Sequence, residues 1–289
     1  MGRNTRTLQE LTFKDGFLFA ATLLDGENCR LVLERILEMP IDHVVVSREK
    51  SMVYHPDYKG VRLDVYAKDD EGTHFDVEMQ IEAQHVKKRA RYYHSQMDME
   101  ILDTGLSYEE LPDTYVVFIC DFDPVGLKKY KYTRYCTFKE DNTCEYEDGT
   151  HTVFLNTKGT NDAEVPESLV KLLKYIGATV EDSDKNYDDP LVSRLQESVK
   201  RIKSDREMGA RYMLFEEMLK DEFAAGKLEG MHKLIFVYLS EHGIISRILE
   251  DKLADITDEE MLSILVKKAV TVTSVEEFEE ELDKLIASE

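Results

Sequence analysis

Several things are scarce in this chain, and each scarcity removes a class of function. Its four cysteines, Cys29, Cys120, Cys136 and Cys144, form no CxxC pair, so neither zinc ligation nor a disulfide framework is expected. No stretch reaches the apolar length of a membrane span, so no membrane partner is expected. The N-terminal MGRNTRTLQE has no apolar signal region either, which makes the cytoplasm the expected location. Positive charge is short: 37 Lys and Arg stand against 59 Asp and Glu, a formal charge of −22. That balance argues against a generally basic nucleic-acid binder, and an anionic partner would have to be met on a local patch. The 289 residues are enough for one large domain or two modest ones.

Periodicity supplies the order of elements. Helical spacing runs over Leu11 to Leu24 and Asn28 to Glu38, with a stop near Pro40. HVVVS at 43–47 reads as a strand, followed by the loop YHPDYKG and a hairpin. A helix is expected over 86–102 with Val86, Ala90, Tyr93, Met97 and Ile101 in one stripe, and TYVVFICDFD from Thr114 reads as a strand buried on both faces. Residues 124–160 read as short strands and loops, including HTVFLNT, and a helix follows from about Pro166 to Gly177. The acidic loop EDSDKNYDD then marks a boundary. Beyond it the pattern is helical: Pro190 to Ala225, a break at Gly226 and Gly230, then 231–241, 258–270 and 274–286. The expected organisation is an α/β domain over 1–180 and a helical C-terminal region over 190–289.

The hairpin carries the chemistry. In Val61 to Ala67 the apolar residues alternate with Arg62, Asp64 and Tyr66, and from Thr73 to Glu82 Phe75, Val77, Met79 and Ile81 alternate with His74, Asp76, Glu78, Gln80 and Glu82. DDEG joins the two strands, with Gly72 free to take a positive φ. A three- or five-residue loop would set Asp64 directly across from Glu78, with Gln80 one step along the same face. The two Cβ atoms would then lie about 5 Å apart, where two carboxylates repel by roughly 3 kcal/mol at an effective dielectric of about 20. A proton or a cation would relieve that repulsion, and oxygen ligands favour Mg²⁺ or Mn²⁺. The plainer alternative is a solvated polar face, and a register shifted by one residue would separate the pair.

Asp64, then Glu78-Met79-Gln80, in the order helix, three strands, helix, strand, resembles the PD-(D/E)XK nuclease superfamily. More narrowly the chain resembles the recombination-promoting nuclease/putative transposase family. The resemblance rests on LTFKDGFLFAATLLDGENCRLVLERIL, GVRLDVYAKDDEGTHFDVEMQ, KKRARYYHSQMDMEIL, YVVFICDFDPVG and FLNTKG, in that order. It implies an α/β nuclease-like core with a mixed sheet, followed here by an all-helical extension. It also implies a Mg²⁺-dependent (or Mn²⁺-dependent) DNA endonuclease acting in recombination, transposition-like reactions or defence, with Asp64, Glu78 and Gln80 catalytic and Asp64 and Glu78 holding the metal. Gln80 stands where the superfamily motif has lysine, and Leu63 where its name places proline. Glutamine can orient a water or phosphate oxygen but lends no charge.

Two further expectations are open. Asp15, at the start of the first helix, is either a third metal ligand or a helix cap. Lys87, Lys88, Arg89 and Arg91 form the clearest basic cluster, and with Tyr92 and Gln96 they are candidates for DNA contact, or else simply solvated surface. The competing function is a non-catalytic interaction protein on a decayed nuclease fold, forming homo-oligomers through its C-terminal helices.

Overall fold

The computed structural model describes residues 6–52, 61–83 and 85–286, with Arg48 and Glu49 described by their backbone alone; the loop expected at 54–60 lies outside these. Two compact units are present, one from Arg6 to Gly209 and one that begins at Ala210.

The first unit opens with α1 (Gly16–Leu23) and α2 (Gly26–Leu37). The Asp25 carboxylate starts α2 by accepting from the backbone N–H of Glu27 and of Asn28, both at 3.1 Å, which satisfies donors that the first turn leaves open. Three strands follow, β1 (Val44–Met52), β2 (Val61–Asp69) and β3 (His74–Gln80), then α3 (Val86–Ile101) and β4 (Thr114–Cys120). The helix, three-strand, helix, strand order expected from the sequence is therefore present. β5 (Lys131–Thr133) and β6 (Thr150–Asn156) complete a six-stranded sheet in the order β1-β2-β3-β4-β6-β5. β3, β4 and β6 run parallel in its middle, and the β1-β2-β3 and β6-β5 pairings are antiparallel, so the sheet is mixed.

Alternation along β4 assigns the two faces. Val116, Phe118 and Cys120 pack with Val86, Ala90, Tyr93 and Met97 of α3. On the sheet's β1-β2 side, α1 touches both strands and α2 touches β1. His94 of α3 is buried between the hydroxyls of Thr114 and Thr152, at 2.8 and 3.0 Å. Burial, the first cause, holds its pKa down to about 4, so it is a neutral structural side chain.

The β2–β3 turn consists of Asp70, Glu71 and Gly72, closed by a hydrogen bond from the Asp69 N–H to the Thr73 carbonyl at 3.1 Å. Gly72 has φ 93°, a region that costs a side-chain-bearing residue roughly 1–2 kcal/mol. Gly72→Ala should therefore lower the urea midpoint at an unchanged m-value by an amount matching about 1 kcal/mol. An unaltered midpoint would mean that the turn tolerates the side chain.

α4 (Glu167–Ile176) and α5 (Pro190–Ser204) also belong to the first unit. The division thus falls at Gly209/Ala210, beyond the acidic loop where the sequence suggests it. The reason lies in α5, which is tied to α2: Asn28 donates to Ser198 Oγ at 3.0 Å and accepts from Arg194 Nε at 2.7 Å, and Arg35 meets Asp189 at 2.9 Å. The expected helix from Pro190 to Ala225 breaks at Asp205, whose carboxylate accepts from the Glu207 N–H at 2.7 Å, and not at the glycines. α6 (Arg206–Ser240) continues through Gly226 and Gly230.

Ala210–Glu289 has a core of its own. Ile235 and Leu239 of α6 pack with Leu249 and Leu253 of α7 (Arg247–Ala254), Leu262 and Leu265 of α8 (Glu259–Thr271), and Phe278 and Leu282 of α9 (Val275–Ile286). Among the described residues no helix is long and apolar enough to cross a membrane.

Candidate active site

The β2–β3 backbone ladder runs from Lys68↔His74 to Val65↔Val77. At the next step, Asp64 and Glu78, side chains take over. The Asp64 N–H donates to Glu78 Oε1 at 3.0 Å, and the Met79 N–H donates to Asp64 Oδ2 at 3.1 Å. Each carboxylate thus accepts a backbone donor of the opposite strand, which fixes the two acids across from one another where the strands part. Glu78 is 2% exposed. Burial first, and the Asp64 charge second, push its pKa up to about 8.

Arg89, from the first turns of α3, reaches down to this end of the sheet. Its guanidinium donates to Glu78 Oε2 at 3.0 Å, to the Tyr93 hydroxyl at 2.8 Å and to the Gln80 side-chain oxygen. It also lies 5.2 Å from the centre of the Phe118 ring. Gln80 Nε2 in turn donates to the Glu82 carbonyl at 3.2 Å. Gln80 is therefore held through both ends of its amide, and the positive charge that it lacks stands against its oxygen.

Asp76 is the residue that the alternating pattern hides. It shares the parity of Glu78 and was one of five polar residues on that face, with nothing in the spacing to set it apart. In the structure it is fully buried, and neither carboxylate oxygen has a hydrogen-bond partner among the described residues. Burial, then the charges of Glu78 and Asp64, hold its pKa well above the usual carboxylate range. A buried carboxylate without a partner is expensive unless a proton or a cation compensates it. The all-oxygen donor set of Asp64 and Glu78, with orphaned Asp76 beside it, fits a hard divalent cation that keeps water and substrate phosphate as further ligands. Among the described residues no three His, Cys, Asp or Glu side chains are grouped as a ready metal cage.

The other expected site residues separate. Asp15 is not brought to the pair: its Oδ2 accepts from the Thr12 N–H at 2.6 Å and its Oδ1 from Arg6, so it fastens the entry to α1. Of the DNA-contact set, Lys87, Lys88 and Arg91 are exposed on α3. Arg89 turns inward as described, Tyr92 is half-buried, and Gln96 is 7% exposed. The reason is helical geometry: Arg89, Tyr93 and Gln96 lie on the side of α3 that packs toward the sheet, so a backbone-contacting row through Arg89, Tyr92 and Gln96 does not form.

A family model described as PD-(D/E)XK nuclease family transposase matches residues 28–226. No curated protein and no solved structure matches the chain. The matched span takes in both opposed carboxylates, Gln80, the whole of α3 and all six strands of the mixed sheet. On that match over more than half of its length, the chain belongs to the PD-(D/E)XK nuclease family transposases.

Proposed function

We propose that this protein is a divalent-metal-dependent DNA endonuclease that hydrolyses phosphodiester bonds in recombination, transposition-like reactions or defence. The observation that carries the reading is the opposed pair of Asp64 and Glu78 at the point where the β2–β3 ladder ends. These two residues would hold Mg²⁺ or Mn²⁺, with the buried Asp76 carboxyl on the same face of β3. A metal held by them would polarise the scissile phosphate and lower the pKa of its bound water. Arg89 supplies the positive charge that would face the phosphate as negative charge builds on it. Gln80, positioned by Arg89 and the Glu82 carbonyl, would orient the attacking water through its amide. Lys87, Lys88 and Arg91 would meet the DNA backbone from the exposed side of α3.

The test is plasmid incubation with purified full-length protein in Mg²⁺ or Mn²⁺, with EDTA and Asp64→Ala as controls. Metal-dependent nicking or linearisation that Asp64→Ala abolishes is expected, and equal activity in wild type and variant would sink the assignment. Reversing charge at Lys88 should flatten the dependence of log affinity on log salt by about one unit. An unchanged slope would move the DNA-binding face elsewhere.

A second reading has its own support. Met213, Leu214, Met218 and Phe223 on α6 are 57–69% exposed, which leaves large apolar residues to water. Such exposed apolar residues fit homo-oligomerisation by a protein that no longer cleaves. Light scattering of the full chain, run beside the plasmid assay, separates the two: an oligomer without metal-dependent cleavage favours the second.

A further inference from the structure

A row of residues crosses the sheet from the candidate site. Strand register sets Glu78 beside Phe118, Phe118 beside Phe154, and Phe154 beside Tyr132. At about 4.8 Å per strand, Phe154 stands roughly 10 Å from Glu78 and Tyr132 roughly 14 Å. The Phe118 and Phe154 rings are stacked, with centroids 6.0 Å apart. Over the far end of this row lies a cavity of about 380 Å³ between α3 and β5–β6, floored by Ala90, Val125, Tyr132 and Phe154 and rimmed by Lys87 and Arg91.

The rim and the floor ask for different things of an occupant. Neither Lys87 nor Arg91 makes an ion pair among the described residues, in a chain whose formal charge is −22. Two uncommitted cations on so acidic a molecule favour an anion. The floor is apolar and partly aromatic, and its volume lies in the range of small-molecule pockets. Tyr132 is held firmly there, because its hydroxyl donates to Asp123 at 2.8 Å and accepts the Lys129 N–H at 3.0 Å. A flat apolar group carrying a phosphate satisfies both demands, as does a nucleotide whose base has left the stack. A duplex presents its bases edge-on and cannot enter.

We propose that this cavity receives one unstacked base of the DNA strand whose phosphate lies at Glu78, with Lys87 and Arg91 on the flanking phosphates. The preferred substrate is therefore DNA with unpaired nucleotides: single strands, flaps, or junctions that open under strain. This rests on the nuclease reading above and names the substrate class of the same site.

The test uses full-length wild-type protein in Ca²⁺ and a short single strand carrying one 2-aminopurine, alone or annealed to its complement. Single-strand affinity at least ten-fold above duplex affinity is expected, with aminopurine fluorescence quenched by stacking. Ala90→Leu, which fills the cavity, should remove the quenching and the preference while leaving duplex affinity unchanged. Since Ala90 is itself buried, Arg91→Glu at an exposed position serves as the second variant and should lower single-strand affinity at least ten-fold. Equal wild-type affinity for the two forms, quenching that survives Ala90→Leu in a folded protein, or no effect of Arg91→Glu would each overturn the proposal. Cleavage without strand discrimination removes the pocket alone, whereas selective binding with no metal-dependent cleavage removes the nuclease reading alone.

Discussion

Arg89→Ala is expected to lower metal-dependent cleavage by about 10²- to 10³-fold, the range found when one preorganised charge-stabilising group is removed from an active site. The expectation comes from where the charge stands: the Arg89 guanidinium contacts both Glu78 and Gln80, and glutamine cannot supply a charge of its own. Gln80→Lys by itself should not improve the enzyme, because the new ammonium would meet the guanidinium at close range. Combined with Arg89→Ala, the same lysine restores one cation at the same place, and cleavage should recover at least ten-fold over the single Arg89 variant. Initial nicking rates of the four proteins under saturating Mg²⁺ decide the matter. If the double variant is no better than Arg89→Ala, Arg89 serves the site by holding Glu78 and Gln80 in position, and its charge is not what the reaction uses.

The second large effect is one of stability. Asp76→Asn should stabilise the metal-free protein at pH 8 by about 1–3 kcal/mol, the scale of one unsatisfied buried polar group. It replaces a fully buried ionisable carboxyl with a side chain that does not titrate, and its amide can donate to Glu78. The sign follows from the raised pKa values of Asp76 and Glu78. A carboxyl whose folded-state pKa lies above its unfolded value contributes stability that is complete below about pH 4 and lost as pH rises through the folded value. For Glu78 that loss extends to about pH 8. His74 and His94 act the opposite way: burial lowers both to about 4, so their contribution is present above about pH 6.5 and lost on acidification. The difference between wild type and Asp76→Asn cancels the histidines, and it should grow from pH 5 to pH 8. Thermal melts in EDTA across that range measure it, and a difference that stays flat or shrinks means that Asp76 is ionised in the folded state as it is in the unfolded one, so that its folded-state pKa is not raised. Mg²⁺ should stabilise wild type by about 1.4 kcal/mol at roughly ten times its Kd, and the variant by less.

Parts of this site were legible in the sequence because strand alternation is a strict code. The parity of Val61 to Ala67 and Phe75 to Ile81 puts Asp64 and Glu78 on one face, since a one-residue slip would turn Val65 and Val77 out of the core, and a three- or five-residue loop at Gly72 is what sets the two opposite each other. The inward turn of Arg89 was not legible. A guanidinium after two lysines reads as surface, and only the depth of the sheet end beneath α3 shows what it can reach. Asp76 was hidden for a different reason, because alternation gives the face of a residue and not what covers it. The end of the first unit was misplaced because the sequence marks loops, whereas α5 is assigned by Asn28, Arg35 and Asp189, side chains far apart along the chain.

The crossed hydrogen bonds of Asp64 and Glu78 bear on how such a protein changes over generations. Each of these carboxylates closes the sheet where the backbone ladder stops, so losing either would strip an acceptor from a strand N–H whether or not a phosphate is ever cut. Purifying selection for a folded sheet would therefore retain both acids in a lineage that had abandoned cleavage. The pair would be inherited as scaffold whatever its chemistry, whereas Arg89 and the cavity beside Tyr132 would be freer to drift in a lineage that did not act on DNA. Erosion of function in descendants of this chain should be sought on α3 and β5 before it is sought in the motif.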